Sequence, residues 1–272
     1  MTTLSQQFVS ACERGDLETA KTLVSHVDIH ADKEDAFCLA CQNGQLEVAQ
    51  WLLKQGVDIH AFNEDAFRRA CYNGQLKVAK WLVSQGVDIH ADNEAPFRYA
   101  CHNGQLEVAK WLVTQGVHIH ACNGAAFRCA CHNGHLEVAK WLVSRGVNIH
   151  TVDEDAFCWA CYHGHLNVAK WLFSLKQNIN IHACNECAFR YACYNGHWEI
   201  AKWLIRIGVV PAPGHALRRY YLRCALKTVA HKYMMLIKLQ RAWREWMYAP
   251  GRYGAKAAEC SFKTAVNLKT HL

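Results

Sequence analysis

The chain has no apolar run close to the roughly 18 residues that a bilayer-spanning helix needs, so no membrane span is expected. Its start, MTTLSQQFVSACERGD, has neither a basic opening nor a long apolar stretch, and no secretory signal is expected. No glycine-rich phosphate loop occurs, and no nucleophile and base share a position that the pattern would bring together beside an oxyanion hole. Catalytic residues and cofactors are therefore expected to be none. Cysteine and histidine stand close together in ACHNGH (130–135) and ACYHGH (160–165), but zinc sites use spacings such as C-x2-C with a distant histidine pair, so no metal is expected either. Only 19% of residues are charged and 51% are hydrophobic, which is enough to bury a core. A length of 272 allows one large domain or two ordinary ones.

Cysteine is plentiful, at 15. Cys41, Cys71, Cys101, Cys131 and Cys161 each follow an alanine, 30 residues apart, and Cys12 and Cys193 hold the equivalent places at the ends. Equivalent positions in stacked elements lie about 10 Å apart. A disulfide needs Cα atoms within about 7 Å. The spacing therefore predicts buried, reduced thiols acting as small apolar residues, in a cytoplasmic or nuclear, reducing compartment.

The sequence repeats itself. EDAFRRACYNGQLKVAKWLVSQGVDIH (64–90) is followed by EAPFRYACHNGQLEVAKWLVTQGVHIH (94–120). Trp51, Trp81, Trp111, Trp141 and Trp171 mark a period of 30, and Trp203 arrives two residues late. Phe67, Ala70 and Cys71 form an i, i+3, i+4 stripe that predicts one short helix, with Asp65 as its N-cap and Asn73-Gly74 as its stop. Leu76, Ala79 and Leu82, flanked by Val78, Trp81 and Val83, predict a second helix ending at Gly86. The segment VDIHADNE then extends, turns and re-enters the next unit. Two helices this short cannot bury their apolar faces alone, so identical neighbours must stack. The tryptophans read as core between units. The first unit is a weaker copy, as a terminal cap should be, with Thr22 where tryptophan stands elsewhere.

NGHLEVAKWLVSRGVNIH (133–150) resembles the second half of an ankyrin repeat, whose usual text is close to GHLEVVKLLLEAGADVN. The first half departs from that family, with DAFR, APFR, AAFR, DAFC and CAFR where TPLH is usual. Units of 30 residues are also about three shorter than the usual 33. Such short repeats resemble those of the ankyrin paralogues of giant amoebal DNA viruses, which would imply a host protein as partner and a host cell as location. The resemblance implies an all-α fold: an ankyrin-repeat solenoid of seven helix–turn–helix units over 1–208, unit 1 a degenerate cap; the residues beyond it, 209–272, read separately as a C-terminal basic helical extension. It also implies a monomeric, non-catalytic scaffold that binds a protein partner through a concave groove lined by the first helices and the fingers between units.

Comparison of the repeats shows which positions vary. Finger tips carry Asp32, Phe62, Asp92, Cys122, Val152 and Cys184, and the first helix carries Leu39, Arg69, Tyr99, Cys129, Trp159 and Tyr191. A third position carries Gln42, Tyr72, His102, His132, Tyr162 and Tyr194. A fourth carries Arg68, Arg98, Arg128 and Arg190, with cysteine at 38 and 158. The candidate groove is Arg68, Arg69, Tyr72, Arg98, Tyr99, His102, Arg128, Trp159, Tyr162, Arg190, Tyr191 and Tyr194. Arginine, tyrosine and tryptophan are the residues enriched at binding hot spots. The arginines are equally readable as pairing with acids of adjacent units. The recurring IH histidines, from His30 to His182, stand where the family has asparagine, which implies a finger-closing role through hydrogen bonds to backbone. The longer segment after Trp171 predicts a loop, with Asn178 taking a left-handed conformation.

Charge divides the chain. From Val209 onward there are twelve Lys/Arg and two acids, leaving 18 and 21 before it. Two prolines in VVPAPGH end the repeats, and an apolar stripe from Leu222 to Trp246 predicts a basic amphipathic helix. Arg223, Lys227, Lys238, Arg241, Trp243 and Arg244 are its candidate contacts. Three readings stand open: a cap on the last unit, a calmodulin-type target with a degenerate IQ pattern at Gln240 and Arg244, or contact with nucleic acid or an anionic membrane surface.

Overall fold

The computed structural model describes residues 3–150, 154–175 and 179–209. The expected finger tip at Val152, the Asp32 side chain, the role of Asn178 and all the tail contacts (Arg223, Lys227, Lys238, Arg241, Trp243, Arg244) fall outside them. Among the described residues every regular element is helical. The helices come in pairs: α1 (Leu4–Arg14) with α2 (Leu17–Leu23), α3 (Ala31–Gln42) with α4 (Leu46–Lys54), and α5 (Ala61–Tyr72) with α6 (Leu76–Ser84). Then follow α7 (Ala91–His102) with α8 (Leu106–Thr114), α9 (Ala121–His132) with α10 (Leu136–Ser144), α11 (Asp155–Tyr162) with α12 (Leu166–Ser174), and α13 (Ala183–Tyr194) before α14 (Trp198–Arg206). None is long and apolar enough to cross a membrane.

Met1–Ile200 forms one compact unit. Within it α1, α3, α5, α7, α9, α11 and α13 pack each against the next, and each first helix from α1 to α11 also packs on its own second helix. The core repeats with the period of the sequence. Phe67, Ala70 and Cys71 are fully buried, as are Val78, Ala79 and Leu82 on the second helix. The tryptophans are half-buried and set edge-on to a phenylalanine one unit back: Phe8 to Trp51, Phe37 to Trp81 and Phe97 to Trp141, with ring centres 6.4–6.5 Å apart. They are inter-unit core, as expected. The thiols of Cys12, Cys41, Cys71, Cys101, Cys131, Cys161 and Cys193 are buried. Burial pushes the Cys12 thiol up to about 12.

The turn between helices closes as the sequence predicts. Gly74 adopts φ 77°, and a Cβ there would collide with the carboxamide of Gln105 from the next unit. The first unit is atypical: a capping box joins Thr3 and Gln6, and α2 ends in a 3-10 turn over Val24–His26.

Three expectations need correction. The finger does not stay extended through its tip. Phe62, Asn63 and Glu64 take φ of 53°, 55° and 60°, a full left-handed turn that recurs at Asp92–Asn93–Glu94, Cys122–Asn123–Gly124 and Cys184–Asn185–Glu186. Asp65 is the first residue after that turn rather than an N-cap, and its carboxylate accepts from Arg68 and Arg69 at 3.0 and 2.8 Å. Cys158 and Cys187 form a disulfide, with Cα atoms 6.2 Å apart. The spacing argument held only for equivalent positions. These two are not equivalent: Cys158 stands where Arg128 does and Cys187 where Asp155 does, and Arg128 and Asp155 approach each other to 4.0 Å. The covalent link occupies the place of an ionic one.

Candidate functional site

Two sets of side chains organise the surface of the repeats. The first braces the fingers. A left-handed turn costs an L-residue roughly 1–2 kcal/mol, so three in succession need support. Part of it comes from the arginines. Arg68 donates to the Phe62 carbonyl at 2.9 Å, Arg98 to those of Asp92 and Asn93 at 2.8 and 3.2 Å, Arg128 to that of Asn123 at 2.6 Å, and Arg190 to that of Cys184 at 3.0 Å. The guanidinium fork thus supplies donors to the main-chain carbonyls of the turn. Pairing with an acid of the next unit exists but is longer, as in Arg68 to Asp92 at 4.0 Å. Arg69 instead pairs with Asp65 of its own unit and reaches Asp35 of the one before at 3.5 Å.

The rest of the support comes from a residue that sequence reasoning missed. Glu34, Glu64, Glu94 and Glu154 close their turns and are buried, at 3–7% exposure. Each accepts from the histidine four residues earlier: His30, His60, His90 and His150, at 2.6–2.8 Å. The same oxygen accepts the backbone N–H of the next finger, at Asp58, Asp88, His118 and Asn180, within 3.1–3.4 Å. The IH histidines His30, His60, His90, His150 and His182 are structural, as expected, but their ring partner is a carboxylate rather than backbone, and His120 has Gly124 in the glutamate's place. Those carboxylate hydrogen bonds raise the pKa of His30 and His60 above the ordinary 6.5. Recurrence of glutamate at this position was the available signal.

The second set is a run of rings on the first helices. Tyr72 meets Tyr99 edge-on at 6.4 Å and His102 at 5.7 Å. His102 leads to His132 at 6.4 Å, and His132 stacks on His163 at 4.0 Å and on Trp159 at 5.3 Å. Trp159 meets Tyr162 at 5.2 Å and stacks on Tyr191 at 6.4 Å, and Tyr162 meets Tyr191 edge-on at 5.4 Å. Tyr72, Tyr99, His102, Trp159, Tyr162 and Tyr191 of the expected groove stand in this run, and Tyr194 is 69% exposed. His132 and His163 join it without having been chosen. His163 stands where five of the other units place an asparagine at the helix stop, and it exchanges a backbone bond such as Asn73 Nδ2 to the Arg69 carbonyl for a ring stack. Partial burial lowers the pKa of His132 and His163, and neighbouring histidines lower it further. Both shifts favour the neutral form of the His132 and His163 rings.

The structure separates the expected groove residues by role. The four FR arginines and Arg69 are tied to the fingers and their acids. Tyr72, Tyr99, His102, Trp159, Tyr162 and Tyr191 form the ring run.

A family model described as ankyrin repeats (3 copies) matches residues 8–93, 67–153 and 127–213. No curated protein matches the chain. With paired helices in register over the same stretch, the chain belongs to the ankyrin-repeat family, whose repeats are generally protein–protein interaction modules and typically non-catalytic scaffolds.

Proposed function

We propose that the chain is a non-catalytic scaffold whose first-helix face, from Tyr72 to Tyr191, grips a protein partner. The observation that carries this reading is the continuous ring run, in which Tyr99 and Tyr191 remain 38% and 36% exposed. Aromatic side chains offer rigid amphipathic area at low entropic cost, and they dominate binding hot spots. Because the arginines are engaged by finger carbonyls, the face selects for aromatic and aliphatic side chains more than for acidic ones.

The test is capture of partners by the full chain at moderate salt, identified by mass spectrometry, alongside the triple variant Tyr99→Ala, Trp159→Ala, Tyr191→Ala. Binding that survives salt and disappears in the variant supports the ring face. Binding that falls steeply with salt and is lost from residues 1–208 alone would instead assign recognition to the basic tail, acting on nucleic acid or on an acidic calmodulin-type groove.

A further inference from the structure

We propose that His90, Glu94 and His118 bind one divalent transition-metal ion of the zinc class, stitching two successive fingers together. One ligand atom from each residue lies within 4.8 Å of the other two. Two imidazole nitrogens and a carboxylate oxygen are a donor set suited to zinc, and they leave a fourth tetrahedral position for water.

Two observations single out this junction. His118 stands where the other fingers have Asp28, Asp58, Asp88, Asn148 and Asn180. Those side chains accept the backbone N–H of the histidine two residues on, as Asp88 does for His90 at 2.9 Å and Asn148 for His150 at 2.9 Å. An imidazole in that place forgoes the finger's own turn bond, and the His118 ring instead lies 5.6 Å from that of His90, tilted by 32°. Glu94, only 3% exposed, supplies the second observation. Its Oε1 is held by the His90 ring at 2.8 Å and the His118 N–H at 3.1 Å, while its Oε2 is buried with no hydrogen-bond partner. A buried carboxylate oxygen without a partner is costly, and a cation beside it removes that cost. The same oxygen is unpartnered in Glu34, Glu64, Glu154 and Glu186, so it does not select the site alone. Among the described residues, only here does a second imidazole stand beside it.

A tetrahedral zinc ion with bonds of about 2.1 Å needs its ligand atoms roughly 3.4 Å apart. Glu94 is fixed; the exposed His90 ring, already 2.8 Å from its Oε1, eases outward, and the exposed His118 ring swings in to close the difference. The ion then joins the finger entering α7 to the finger leaving α8.

The test is calorimetric titration of Zn2+ into the metal-stripped full chain, repeated on His118→Asn and Glu94→Gly. Both replacements are the chain's own: Asn148 and Asn180 stand where His118 does, and Gly124 where Glu94 does. The expected result is one ion per chain, with affinity lower by about tenfold or more in each variant. A zinc-dependent rise in melting temperature accompanies binding and is lost in both variants, while His60→Asn retains it. Co2+ in place of zinc gives a spectrum without a thiolate charge-transfer band. Absence of binding, affinity unchanged in both variants, or a thiolate band tracing the ion to the cysteines would overturn the site.

Discussion

Glu64 Oε1 lies 3.2 Å from the backbone nitrogen of Asp88, 24 residues further along the chain, while it also accepts from the His60 ring. One buried carboxylate oxygen thus closes its own finger and anchors the next. Repetition of this bond at Glu34, Glu94 and Glu154 couples neighbouring units through main-chain atoms, independently of the apolar stack.

Glu64→Ala should therefore destabilise by about 2 kcal/mol, since it leaves a half-buried N–H without an acceptor. Urea denaturation measures the loss. Amide exchange gives it an address: the Asp88 N–H should exchange faster in the variant, while amides in α1 keep their protection.

Six histidines should titrate in two groups. Burial first, and neighbouring histidines after it, lower the pKa of His132, His163 and His165, and burial also lowers that of His135, whereas the hydrogen bond to glutamate raises those of His30 and His60. For a lowered histidine the unfolded chain binds the proton more readily. Its contribution is intact above 6.5 and erodes as pH falls below that value. For a raised histidine the sign reverses: the contribution is complete below 6.5 and is lost as pH rises through the folded value. Ring-proton NMR titration should place His132 and His163 below His30 and His60. Acidification should broaden the ring run first, because His132 and His163, 4.0 Å apart, cannot both carry charge cheaply.

Thiol reactivity should follow burial. Cys122 and Cys184 are exposed at the finger tips and should alkylate in the native protein. Cys41, Cys71, Cys101, Cys131 and Cys161 should resist until the chain unfolds. Peptide mapping without reductant should recover Cys158 linked to Cys187. Cutting that link, which closes a loop of sequence separation 29, should cost about 3–4 kcal/mol on the chain-entropy account.

What the sequence disclosed was what repetition makes local: the period of 30, the Phe67–Ala70–Cys71 stripe, and the stops at Gly74 and Gly86. Each is a pattern within one turn or one helix. The left-handed turns were hidden because Phe62, Cys122, Cys184 and the glutamates do not announce positive φ, while Asn63, Asn93, Asn123 and Asn185, with Asp92 and Gly124, are residues that tolerate it readily. The glutamate bond was hidden for a different reason. Its acceptor is a side chain but its donor is backbone, so nothing at position 88 has to match position 64. The ring run was legible as varied aromatic positions, but His163 was not, since it replaces an asparagine whose ordinary duty is to end a helix.

Arg98 and Tyr99 are neighbours in sequence with opposite duties, and they separate finger support from recognition. Arg98 donates to two carbonyls of a strained turn, so Arg98→Ala should cost about 1–2 kcal/mol of stability, and Arg98→Lys should restore little because an ammonium cannot reproduce the fork. Partner affinity, measured on the folded fraction, should scarcely change. Tyr99 is more than one-third exposed and touches Tyr72 only by its edge, so Tyr99→Ala should cost about 1 kcal/mol or less in stability. Its loss from the ring face should weaken partner binding by about tenfold. Paired denaturation and binding measurements on the two variants check both halves. If Arg98→Ala abolished binding without loss of stability, the guanidinium would belong to the recognition face and not to the finger.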